Sequence, residues 1–171
     1  MSRKREAALA AAALIAVLLI SASVLPSAAQ GPPSISPPEL LTGRAEFTDN
    51  VDLKFKIKLD GKATDVVNLK DPSRTVTARF TSEGGAQFQW HTHPGPVVVN
   101  VFQGKLTYVG ADDCKEREYP AGTAFIDAGG DHVHTAFATG ETVLVATFFK
   151  APETGNLLIG ADEPEDCVIT P

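Results

Sequence analysis

The chain holds four histidines, and all of them fall in two His-x-His pairs: His91 and His93 in QWHTHPGP, His132 and His134 in DHVHTAF. Imidazole is the side chain whose ordinary pKa lies nearest neutrality, and its uncharged ring is the commonest protein ligand for a transition metal. On a β-strand residues i and i+2 point to the same side. A His-x-His pair on a strand thus offers two donors to one face, and two adjacent strands could bring up to four to a single point. One such pair alone is as readily two polar turn residues, and HPGP and DAGGD are turn-like. Two pairs with no histidine elsewhere favour a metal site.

Strands must position those rings, and the surrounding sequence supplies them. LKFKIKL places Phe55, Ile57 and Leu59 on one face and Lys54, Lys56 and Lys58 on the other, the alternation of a half-buried strand. TVTARF, QFQWHTH, VVVNVF, KLTYV, TAFID, HVHTAF and TVLVATFF read as further strands, separated by the turn signals SEGG, HPGP, FQGK, YPAGT, DAGGD and ATGE. No sustained helical period occurs beyond the N-terminal run, and there is no internal repeat. Many short strands at regular spacing predict an all-β sandwich or barrel.

The same alternation assigns faces near the histidines. Trp90 should point away from His91, and Val97, Val99 and Val101 should line the barrel floor while Asn100 and Phe102 face outward. Tyr108, Phe125, Phe137 and Phe149 are candidates for the core or a pocket wall, since aromatic strand residues usually pack. Asp127 and Asp131 flank the second pair; either could orient an imidazole, but aspartate in such a turn is more often solvated.

The chain has 171 residues, 43% of them hydrophobic, enough for one globular domain. With 15 basic against 21 acidic residues its formal charge is −6, which gives no footprint for a polyanion and argues against nucleic-acid binding. Residues 1–29 read as a secretory signal peptide: Arg3, Lys4 and Arg5 precede an apolar run from Ala7 to Leu25, and small residues follow at Ser27 and Ala29. The run approaches the length of a membrane anchor, but its alanine richness, Pro26 and the small-residue exit favour cleavage, leaving no membrane association. Residues 30–38 form a proline-rich linker expected to be extended and poorly ordered, and residues 39–171 form the domain. Export, to a periplasm or beyond the cell, makes a disulfide the default state of the only two cysteines, Cys114 and Cys167.

The stretch from Gly85 to Gly104 resembles the first motif of the cupins: glycine, five residues, His91, Thr92, His93, three residues, position 97, six residues, glycine. Only the family's glutamate is missing, replaced by Val97. The second motif is matched by Gly122, Ala128 in the proline place, Gly129 and Gly130, then His134, with Ala138 in the asparagine place and one residue of extra spacing. The resemblance covers roughly residues 80–149 and implies a single cupin (double-stranded β-helix, or jelly-roll) barrel. It implies a divalent ion (iron, zinc or manganese) held by His91, His93 and His134, with His132 auxiliary or a fourth ligand. Cupins also often pair as homodimers.

What such a barrel does is less determined, because the fold hosts many reactions. Cupins with three histidines and no glutamate include thiol and diketone dioxygenases that hold non-haem iron. A metal-dependent dioxygenase acting on a small chelating molecule is therefore one expectation. A non-catalytic module that binds a metal or a small ligand is the other, and a closed four-histidine site would favour it.

Overall fold

The computed structural model describes residues 33–70, 72–167 and 169. The expected signal peptide and residues 30–32 of the linker lie outside the described residues. Among the described residues there is no helix, and accordingly none long and apolar enough to cross a membrane.

Two long strands form the spine of the barrel. β7 (Val97–Gly110) and β10 (His134–Phe149) pair antiparallel from Phe148 opposite Val97 to His134 opposite Gly110. The predicted turns FQGK and ATGE are not breaks between strands. They are a shared bend, where the register shifts between Thr139 and Val143 while both strands run on. Gly104 makes the bend possible: its φ is 75°, and a Cβ there would stand 2.3 Å from the Glu141 carbonyl oxygen. Only glycine adopts that conformation at little cost and leaves that space open.

Each half of β10 then finds a second neighbour. Its first half pairs with β6 (Gln87–Thr92), and its second with β5 (Arg74–Ser82). β7 carries β8 (Glu116–Pro120) on its later half and β9 (Ala124–Asp127) on its earlier half. Short strands β1 (Glu39–Leu40) and β2 (Ala45–Glu46) border β5, and β11 (Ile159–Gly160) borders β6. The curled antiparallel sheet that results is a jelly-roll barrel. A separate hairpin of β3 (Asp52–Ile57) and β4 (Asp65–Lys70) packs outside it, with Phe55 edge-on to Phe149 at 5.1 Å.

The period-2 pattern fills the barrel. Val76, Ala78 and Phe80 from β5, Val97, Val99 and Val101 from β7, and Leu144, Ala146 and Phe148 from β10 form one buried cluster. Each large aliphatic or aromatic side chain so placed contributes roughly 1.5–3 kcal/mol over an exposed one. A second cluster lies on the other side of the β6–β10–β7 ladder, where Trp90, Val109 and Phe137 pack with Cys167. Cys114 and Cys167 are joined as a disulfide with Cα atoms 5.3 Å apart, which brings the C-terminal segment back to the loop after β7.

Residues 33–38 run alongside the end of β5. Proline lacks an N–H, but PPSISPP leaves three between its proline pairs. Ser36 N–H donates to the Thr81 carbonyl, Ser34 N–H to the Glu83 carboxylate, and Ile35 bridges Ser82 while packing on the core.

Candidate metal centre

Strand register alone brings two of the histidines together. His134 opens β10 and is the Cα partner of His91 on β6, and their rings lie 4.3 Å apart, centroid to centroid. His93, one residue beyond the end of β6, points to the same side as His91, with ring centroids 4.9 Å from His91 and 5.1 Å from His134. The ligating atoms of all three lie within 4.8 Å of one another. All three side chains are buried.

Hydrogen bonds fix the rings. His91 Nδ1 donates to the Gln89 carbonyl at 2.6 Å and His93 Nδ1 to the Leu157 carbonyl at 2.8 Å. A carbonyl only accepts, so each proton sits on Nδ1 and each lone pair on Nε2. The His134 Nδ1 lies 3.2 Å from Asp127 Oδ2 and makes no well-formed hydrogen bond, with the His132 backbone as the other acceptor near the ring. Its ring stacks on Tyr108 at 4.9 Å.

Burial, then the neighbouring His134 and His93, hold His91 down at about 3, and burial followed by His93 does the same for His134. Burial also lowers His93. The three rings are thus neutral donors at physiological pH, the form a metal requires. Three donor nitrogens brought within 4.8 Å of one another on buried neutral rings fit a divalent transition ion.

The rings open into a small apolar cavity of about 50 Å³ walled by Phe80, Phe88, Val99, Leu106 and Phe148. One water needs roughly 10–15 Å³, so the cavity has room for an ion and a few water-sized groups. Val97 is 1% exposed and also faces the cavity, as the motif register expects. Asn100 and the 75%-exposed Phe102 face outward.

The second pair does not behave as the first. His132 is not on a strand: β10 begins at His134, and His132 and Val133 lie in the irregular segment between the turn at Gly130 and Asp131 and that strand. The rule that i and i+2 share a face therefore does not apply. His132 is one-third exposed, with Nε2 3.8 Å from Asp65 Oδ2, and it stands outside the three-histidine group.

Among the other candidates, Tyr108 and Phe125 line the cavity, whereas Phe137 packs in the second cluster and Phe149 meets the outer hairpin. Trp90 points away from the histidines, as expected. Asp131 is an exposed turn acid, but Asp127 is only 3% exposed and aimed into the barrel. The signal for it is present in TAFID, where Asp127 shares the strand face of Phe125.

No family model matches the sequence, and no curated protein matches it. Solved structures do. A cupin superfamily protein from Desulfitobacterium hafniense is 11% identical over 61% of this chain and 83% of its own, with a TM-score of 0.41. A cupin-like protein from Thermotoga maritima is 24% identical over 53% of this chain and 69% of its own, with a TM-score of 0.44. An acetylacetone dioxygenase from Acinetobacter johnsonii is 24% identical over 44% of this chain and 50% of its own, with a TM-score of 0.39. The jelly-roll spine, with His91 on β6, His93 just past its end and His134 at the start of β10 converging inside it, identifies this chain as having a cupin-type fold.

Proposed function

We propose that the protein is exported, binds a divalent transition ion through His91, His93 and His134, and acts as a metal-dependent dioxygenase on a small chelating organic molecule. The observation that carries the metal reading is the convergence of three buried imidazoles, two of them with Nδ1 committed to backbone carbonyls. An ion held there supplies Lewis acidity and open coordination positions, and iron would add redox chemistry. The chain's own contribution is a largely apolar cavity wall that can hold and orient a compact ligand. The bond between Cys114 and Cys167 supports export, since disulfides persist in oxidising compartments.

One observation favours the runner-up, a binding module without turnover. Besides the histidines, the ionisable groups at the cavity are Tyr108 and Asp127. Burial and the nearby Asp127 push the Tyr108 phenol far above its ordinary value, so it is no base. The Asp127 oxygens already accept from Tyr108 and the Gly129 N–H. Oxygen uptake separates the readings: iron-loaded protein should consume oxygen when given small diketones, and the wild type should do so far faster than His91→Ala. Tightly held zinc with no oxygen uptake on iron loading would leave the binding module.

A further inference from the structure

Among the described residues Asp127 is the only buried acid. No lysine or arginine lies within ion-pair reach of it among those residues; its one cationic neighbour by type is His134, 3.2 Å away. Tyr108 O–H donates to Oδ2 and Gly129 N–H to Oδ1, each at 2.8 Å. Close packing shapes this cradle, because a Cβ on Gly129 would stand 2.1 Å from the Gly95 carbonyl oxygen. The carboxyl group is therefore held in place on one side by Tyr108 and Gly129 and faces the His134 ring on the other. Across the β7–β9 ladder, the Cα partner of Asp127 is Val97, the position where the first motif would carry glutamate.

We propose that Asp127 supplies, from the opposite strand, the carboxylate missing at Val97. It acts as a positioning residue: it accepts the Nδ1 proton of His134, turns Nε2 toward the ion and offsets one unit of the ion's charge. It is not itself a ligand, since its oxygens fall outside the group of converging donors. A small rotation of the His134 ring, whose Nδ1 makes no well-formed hydrogen bond, would turn it from the His132 backbone to Asp127 and complete the contact. The stacked Tyr108 ring holds His134 in plane while its hydroxyl holds the carboxylate. This inference rests on the three-histidine reading of the site.

The test uses cobalt(II) alone, its affinity read by competition with a chromophoric chelator. Asp127→Asn keeps the size and removes the charge, and should weaken cobalt binding by about 10- to 100-fold, as loss of an outer partner of a metal-bound histidine does. Adding Val97→Glu to Asp127→Asn returns one carboxylate to the barrel and should recover most of that loss. Zinc-loaded wild type provides a readout that needs no variant to fold: its 15N spectra should place the His134 proton on Nδ1, in a downfield-shifted, exchange-protected resonance. Wild type that takes up no metal would sink both this inference and the metal reading. A folded Asp127→Asn that binds cobalt within twofold of wild type, a double variant no tighter than Asp127→Asn, or zinc bound through His134 Nδ1 would sink this inference alone.

Discussion

Val97 and Asp127 face one another as Cα partners across β7 and β9, and both side chains are buried inside the barrel. A glutamate at position 97 would therefore stand beside an existing carboxylate.

Val97→Glu should be destabilised by several kcal/mol without metal, since two carboxylates would then share a buried site. Added manganese or iron should restore much of that stability, because the new oxygen donor can bind the ion. Thermal midpoints with chelator and with excess manganese check this. Equal midpoints in the two conditions, both near wild type, would place Val97 at the surface and put the register of VVVNV out by one residue.

Acid should destabilise the metal-free protein through His91 and His134. Both are held at about 3 in the folded state against an ordinary 6.5. Above 6.5 the folded and unfolded states are both neutral, so these rings give no pH dependence. Between 6.5 and 3 the unfolded chain takes up protons that the folded chain excludes, so stability falls as pH falls, by about 1.4 kcal/mol per unit for each ring. Chelator-treated protein scanned from pH 7 to pH 5 should show the falling midpoint, and His91→Phe should show a shallower slope. A wild-type midpoint as insensitive as that of His91→Phe would mean the ring is not buried neutral.

Reducing the disulfide should cost about 4 kcal/mol, the chain-entropy value for a link spanning 53 residues. Trp90, the only tryptophan, is packed against Cys167 and reports the event directly. Reductant should lower the denaturant midpoint and shift the Trp90 emission to the red. Unchanged emission and midpoint, with both thiols shown to be alkylated, would count against a stabilising tie.

The barrel is legible in the sequence where alternation is clean, as in TVTARF and VVVNVF, because one face of each strand is core and the other is not. EREYP gives no such signal: β8 is nearly all charged or polar and pairs only with β7. DVVNLK does not stand out as a strand either, since β4 belongs to a hairpin outside the barrel. Glycine in FQGK and ATGE suggests chain reversal, yet a jelly roll uses the same freedom to bend paired strands in step. At the site, His91 and His93 are readable because their spacing lies at a real strand. His132 is not, because its pair straddles the end of a turn. Asp127 is obscured by the turn residues that follow it, although its own position is the last of β9.

Metal content of four single variants tests the central claim most directly. Each of His91→Ala, His93→Ala and His134→Ala should abolish most bound metal in elemental analysis, since two imidazoles hold an ion poorly. His132→Ala should keep the wild-type content of about one ion per chain, in line with the three-histidine group that excludes it. Loss at His132→Ala equal to that at His134→Ala, or full retention in any of the other three, would contradict a site made of His91, His93 and His134.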